Sequence, residues 1–473
     1  MNRKTISFLR LAVCLVFVMT LLTGTAAPSL AQPPTINAQG ALVGSEQNPA
    51  DAAITKRLRV GMETVPPNTL TYTFKIDKVN LDGLLDANTL AVMPTIADKT
   101  ISFGSNDFHP MQNNMSVRDL VEQTDNLHKE SSTLFPAGTN WTRAGIYVYR
   151  VTEVQSVTGY FPNAQTETLT FSKAQYDLHV YVAERTPPAT GYYVWAIGAY
   201  RILTDDGNTT GGGVGNKVNP QPGGDPQGPI NERYSKMIFT NSYLRSGGGG
   251  SQPSDARLRI GKKVTGLGAN STLYFNFDVT VRKPAISTKT SYRVYVFETN
   301  AQGQVVQVPA GQLQNNVQNP TLINMGGYIE YQLNPPGQAV RFMLKHNQFL
   351  SFSDIDAGAT YIVNELGTQL YTPSVVQTKS NVASPVQSAF GSGQPLSTPT
   401  TPPTVVTIAP VGAAQWIDSA EFSNLRDTIT PTGINVDDLP YFAIIAVAAI
   451  ALGGYLFFRV RTRKHDEAAV EAN

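Results

Sequence analysis

Two-residue alternation of apolar and polar side chains constrains this chain more than any other feature. Leu70, Tyr72, Phe74 and Ile76 form one apolar row, with Thr71, Thr73 and Lys75 between them. Tyr176, Leu178, Val180 and Val182 form a second row. Leu273, Phe275, Phe277, Val279 and Val281 form a third. Side chains on a strand point to opposite faces in turn, so each run predicts a half-buried strand. One stretch, around Val117, Leu120 and Val121, reads instead as an inserted amphipathic helix. The rest reads as short strands and turns, which predicts an all-β protein made of β-sandwiches.

The pattern can be laid on itself. Ile54-Thr55-Lys56-Arg57-Leu58 matches Ile260-Gly261-Lys262-Lys263-Val264. Tyr149-Arg150-Val151-Thr152-Glu153 matches Tyr361-Ile362-Val363-Asn364-Glu365, and Phe239-Thr240-Asn241 matches Phe422-Ser423-Asn424. The order lysine, glutamate, asparagine holds in both halves. Low-complexity sequence precedes each asparagine. Residues 205–230 are rich in Gly, Pro and Asn, and 379–404 in Ser, Pro and Thr, so both read as long surface loops. Residues 245–255, with the run Gly247 to Gly250, read as a linker. The expected domains are then 52–244 and 256–428.

Alternation turns both lysines inward, between Ile54 and Leu58 and between Ile260 and Val264. It turns Glu153, Glu365, Asn241 and Asn424 inward as well. Lysine and glutamate are rarely fully buried without a partner. A lone lysine of this kind would be read as snorkelling at a strand end, and a Lys–Glu pair as a buried ion pair of little net stability. The full triplet in the same order twice favours a covalent explanation. Burial lowers a lysine pKa and raises a glutamate pKa, so neutral amine and neutral acid can coexist. The amine is then a nucleophile towards the asparagine amide, while the acid hydrogen-bonds the amide carbonyl and shuttles protons to the leaving ammonia. The product is an amide crosslink between the first and last strands of each domain.

The two ends speak for export. Residues 1–31 read as a secretory signal: Arg3, Lys4 and Arg10, then the apolar run Leu11 to Leu22, then Ser29-Leu30-Ala31. Cys14, the single cysteine, lies inside the apolar run, and Val13 is too large for a lipoprotein cleavage site. The mature chain is thus expected to carry no cysteine, which excludes disulfides, cysteine-ligated zinc and iron–sulfur clusters. Near the other end, residues 441–458 are apolar and long enough to cross a bilayer. The basic tail 459–473 follows and is expected to stay in the cytoplasm. A plain single-pass anchor would account for the span alone. Upstream stands Ile429-Thr430-Pro431-Thr432-Gly433. A Thr-Gly pair, an apolar span and a basic tail, in that order, resemble a Gram-positive sortase sorting signal. That resemblance implies cleavage after Thr432 and transfer of its acyl group to an amine. The pentapeptide departs from Leu-Pro-x-Thr-Gly and is closer to the Val-Pro-Thr-Gly of streptococcal pilins, with Thr430 at the valine position.

Taken together, the chain resembles the two-domain major pilins of Gram-positive bacteria, of the streptococcal isopeptide-linkage type. The resemblance covers both domains and the sorting signal. It implies two tandem immunoglobulin-like (Cna B-type) sandwiches, and bonds Lys56–Asn241 assisted by Glu153 and Lys262–Asn424 assisted by Glu365. In the second half Lys263 stands beside Lys262 and Asp418 near Asn424, which leaves the partners there open. The implied partners are a pilus-class and a housekeeping sortase, identical subunits in a head-to-tail polymer, peptidoglycan, minor pilins and a host surface. The implied place is the cell wall, after a membrane-anchored precursor. Lys236 matches the position of the linking lysine, shortly before the bonding Asn. Alternation faces it to solvent, and it is expected close to the domain junction. Lys217, in the glycine-rich loop, is the second candidate.

Other function classes find little support. A net charge of +1 speaks against a nucleic-acid partner. The five histidines show no metal-binding spacing, and no Gly-x-Ser-x-Gly elbow occurs. Gly211 to Lys217 lacks the Ser or Thr that a phosphate loop needs after its lysine. The expectation is no cofactor, no metal and no turnover catalysis, only a single self-reaction. A wall-anchored adhesin that does not polymerise would carry the same signals. A ladder of high-mass species in wall extracts distinguishes the shaft subunit from it.

Overall fold

The computed structural model describes residues 35–470, except 38–40, 62–63, 65, 67, 109–115, 120–123, 211–215, 225–226, 229–231, 390, 401–402, 409–415 and 427–438. The signal segment 1–31 and the motif 429–433 lie outside the described residues.

The strands form two β-sandwiches in tandem, so the all-β expectation holds. In the first, one sheet runs Lys99–Phe103, Leu70–Leu81, Gly145–Val157, Gln175–Glu184, Tyr192–Leu203, Leu42–Val43, Thr35–Ile36. Its partner sheet runs Ser116–Asp119, Thr124–Glu130, Thr55–Gly61, Ile238–Arg245, Glu167–Thr170. In the second sandwich the larger sheet holds Ser291–Thr299, Gln348–Phe352, Leu258–Thr265, Asp418–Arg426 and Tyr371–Lys379 in that order. Facing it are Ala339–Leu344, Phe275–Arg282 and Thr360–Glu365. The alternating rows read from the sequence supply the core: Tyr72, Phe74, Tyr176, Leu178 and Phe239 in one sandwich, Phe275, Phe277, Val279, Tyr361 and Phe422 in the other. Each such side chain contributes about 1.5–3 kcal/mol through burial.

Both sandwiches share one departure from antiparallel order. Thr55–Gly61 lies parallel to Ile238–Arg245, and Leu258–Thr265 parallel to Asp418–Arg426. Two strands by which the chain enters a unit at one end and leaves it at the other must run the same way. Thr55–Gly61 and Leu258–Thr265 are the lysine strands, Ile238–Arg245 and Asp418–Arg426 the asparagine strands.

Three expectations need correction. Residues 116–119 are a strand paired with Thr124–Glu130, not part of a helix; Leu120 and Val121 lie outside the described residues. Three apolar residues are a weak helical signal, and hairpin pairing at a sheet edge overrides it. The segment 205–230 is not all loop, because Lys217–Val218 pairs with Tyr192–Leu203. Likewise 379–404 folds back on its own sandwich through Val382–Ala383, Gln387–Ser388 and Leu396–Ser397. Backbone groups near a sheet edge are satisfied by these short pairings despite the composition.

The linker is a hydrogen-bonded strap. Gly247 N–H donates to Ile355 O at 2.9 Å, Gly249 N–H to Ser353 O at 3.1 Å, and Ala357 N–H to Arg245 O at 2.8 Å. Glycine is required where the chains approach. A Cβ on Gly247 would lie 2.0 Å from Ser353 O, and one on Gly61 2.4 Å from Ala357 O. Glycine suits such contact because it has no Cβ.

Short helices apart, the main helix is Leu439–Val470. Within it Tyr441–Arg461, with mean hydropathy 2.2, is long and apolar enough to cross a membrane, and none of that span is buried in the protein.

Candidate crosslinking sites

Each lysine sits on the inner face of its strand because the flanking apolar residues do. Lys56 is 0% exposed and Lys262 1%. Lys263 is exposed, which singles out Lys262. In the parallel ladders Lys56 is opposite Phe239 and Lys262 opposite Phe422. The asparagines, two residues further on, therefore lie on the same inner face in the same register. On the facing sheets Phe74 pairs with Glu153 and Phe277 with Glu365. Lysine, glutamate, asparagine and the paired phenylalanines of one site each have their counterpart in the other.

The side chains meet. Lys56 Nζ donates to Glu153 Oε1 at 2.9 Å and Oε2 at 2.7 Å, and Asn241 Nδ2 donates to Glu153 Oε1 at 2.6 Å. Lys262 Nζ donates to Glu365 Oε1 at 2.5 Å, and Asn424 Nδ2 to the same oxygen at 2.7 Å. Aromatic rings wall both amines. Lys56 Nζ lies 4.5 Å from the Tyr72 centroid, and Lys262 Nζ 4.3 Å from that of Phe275.

Burial sets the electrostatics. Desolvation lowers Lys56 to about 8, against the opposing pull of Glu153. It lowers Lys262 to about 8 in the same way, against Glu365. Desolvation also raises both carboxyl groups above the ordinary glutamate value, with the lysines pulling the other way. Both shifts move the pair towards neutral amine and neutral acid.

One detail differs from the expected chemistry. The Asn241 carbonyl does not face the glutamate. Its Oδ1 accepts from the Ser172 backbone N–H at 2.6 Å. An N–H can only donate, so Oδ1 must face Ser172 and Nδ2 the carboxylate. Ser172 escaped the sequence reading because a backbone donor leaves no residue-type signal. The walls Tyr72 and Phe275 were legible as members of their alternating rows.

Asp418 does not compete for the second site. It accepts from Thr407 N–H at 2.5 Å and Ser380 N–H at 2.8 Å, at the far end of the asparagine strand. Lys236 is half-buried, on the face opposite buried Met237 and Phe239. It does not stand near the junction. It precedes Ile238–Arg245, whose other end meets the second sandwich, about 30 Å away at strand rise. Lys217 lies in a two-residue strand, its Nζ 5.2 Å from the Tyr200 centroid. Among the described residues no cluster of three or more His, Cys, Asp or Glu could hold a metal ion.

A family model described as a domain of unknown function (DUF7601) matches residues 256–390. No curated protein matches the chain. Among solved structures the chain is similar to the major pilin of Streptococcus pyogenes, at 18% identity over 80% of this chain and 99% of that one, with a TM-score of 0.26. It is similar to the T-13 major pilin of the same organism at 15% identity over 82% and 99% of the chains, TM-score 0.26. A pilus-presented adhesin, Cpa, matches at 11% identity over 53% of this chain and 35% of its own, TM-score 0.20. Scores this low carry no conclusion about function, which rests on the side chains of the two sites.

Proposed function

We propose that this chain is a structural subunit of a covalently polymerised cell-surface pilus, stabilised by self-formed amide bonds Lys56–Asn241 and Lys262–Asn424. The observation that carries this reading is a buried Lys–Glu–Asn triad found twice in one register. Chance burial of a single ion pair does not reproduce itself with both strand partners and both ring walls. In each triad neutral Nζ attacks the asparagine Cγ, the Cγ–Nδ2 bond breaks and ammonia leaves. Glu153 or Glu365 takes the proton that Nζ loses and delivers one to Nδ2. Water exclusion and fixed geometry supply the driving proximity. The reaction happens once per site, so the protein is not a turnover enzyme. Residues 52–244 and 256–428 are the two crosslinked units. The signal 1–31 exports the chain, the helix holds it, and a sortase cleaves after Thr432 to join it to a lysine of the next subunit or to peptidoglycan. Intact mass of residues 32–432 tests this reading: about 17 Da should be missing per bond, about 34 Da in all. The full theoretical mass would refute the crosslinks.

A further inference from the structure

The two triads differ in the hydrogen bonds around them, above all at the asparagine carbonyl. At the first, the Ser172 N–H donates to Asn241 Oδ1. At the second, no donor faces Asn424 Oδ1 among the described residues, and Glu365 Oε2 also lacks a hydrogen-bond partner. The cause lies in the neighbouring strand. Glu167–Thr170 stops pairing with the asparagine strand at Ser242, so the next residues turn away and the Ser172 N–H is free for a side chain. In the second sandwich Tyr371–Lys379 stays paired with the asparagine strand from Ser419 to Arg426, past Asn424. Its residue opposite Asn424 is Pro373, which has no N–H.

A carboxylate holds the Ser172 turn in place. Asp205 Oδ1 accepts from Ser172 Oγ at 2.5 Å and from Thr240 N–H at 2.8 Å, the residue before Asn241. Asp205 O accepts from Lys173 N–H at 2.9 Å, and Asp205 Oδ2 from Arg201 at 3.2 Å. Asp205 therefore grips both the residue that carries the donor and the strand that carries the acceptor. Ser172 is 1% exposed, so water does not substitute for it.

We propose that Asp205 is a positioning residue for the first crosslink, aiming the Ser172 N–H at the oxygen where negative charge develops, and that the second crosslink forms without such help. This rests on the crosslinking role given to the triads. When Nζ adds to Cγ, the carbonyl electron pair moves onto Oδ1. A donor already in place stabilises that oxyanion, and it returns the pair when ammonia leaves. Removing one such donor from an enzyme slows it about 100- to 1,000-fold, so loosening one should cost about tenfold or more.

The experiment is a time course of the full chain made by cell-free synthesis, quenched in acid and digested. The two crosslinked peptides, Lys56–Asn241 and Lys262–Asn424, are quantified by mass spectrometry. In the unmodified chain the first should form about tenfold faster than the second. Asp205→Asn should slow the first about tenfold and leave the second alone, and Ser172→Ala should act in the same direction. A general loosening of the first sandwich is read from melting of Glu153→Ala with and without Asp205→Asn. Slowing with unchanged melting supports positioning, and slowing with a matching loss of melting temperature overturns it. Equal rates at the two sites, or an unchanged first rate in Asp205→Asn, also overturn it. Absence of both crosslinked peptides from the unmodified chain would instead overturn the crosslinking role itself.

Discussion

Lys56 Nζ and Asn241 Nδ2 donate to one atom, Glu153 Oε1. In the proposed crosslinking, the attacking and the leaving nitrogen would thus share one proton carrier between them. Lys262 and Asn424 are joined through Glu365 Oε1 in the same way.

Glu365→Ala should unfold the second sandwich early. It would prevent the proposed crosslink and leave Lys262 buried without its carboxylate, which costs roughly 3–5 kcal/mol. Calorimetry of residues 32–432 should show the second unit melting earlier while the first keeps its transition. Unchanged melting would show that Lys262 draws no stability from Glu365.

Acid should weaken the first sandwich through His128. Burial, with Arg57 and Lys236 nearby, lowers this imidazole to about 4. An unfolded histidine titrates near 6.5. The unfolded chain therefore takes up the proton first as pH falls. The stability is fully present above about 6.5 and is lost progressively down to about 4, roughly 3 kcal/mol in all. Denaturant titrations at pH 7 and pH 4.5 should differ for the native chain, and much less for His128→Gln. Parallel pH dependence in both would remove His128 as the cause.

Gly247→Ala should loosen the strap between the sandwiches. Its Cβ would meet the Ser353 carbonyl at 2.0 Å, and overpacking of this kind costs about 1–3 kcal/mol. Faster proteolytic nicking between 246 and 256 is expected, with both crosslinks still formed. Nicking at the native rate would mean the strap yields without cost.

Lys236→Arg keeps the charge but removes the amine that a sortase acyl group needs. In the native organism the high-mass ladder should disappear while monomer is still exported. A persisting ladder transfers the linkage to Lys217, and absence of a ladder in the unmodified chain favours the adhesin.

The sequence was most legible where period-2 alternation met a residue that should not be inside. Lys56 and Lys262 stood out because burial of lysine is costly, and their strand neighbours fixed the facing. Glu153, Glu365 and both asparagines followed from the same rule. Ser172 and Asp205 were hidden because one acts through its backbone and the other through an outer hydrogen bond. Lys236 lies on the face that alternation predicts but far from the junction, since alternation carries no information about which end of a strand meets the next domain. The short strands within 379–404 were obscured by Ser, Pro and Thr, whose turn preference masks pairings only two residues long.

The parallel lysine and asparagine strands also decide where mechanical load would travel. A pull applied at Lys236 and at the end of Asp418–Arg426 runs down Ile238–Arg245, through the strap, and into Leu258–Thr265. With an amide at Lys262–Asn424 the tension crosses there directly into the final strand. Residues 263–423 would then hang from the force line and not form part of it. The first sandwich would carry load on its last strand alone. Such a chain can transmit tension while most of its folded mass stays slack.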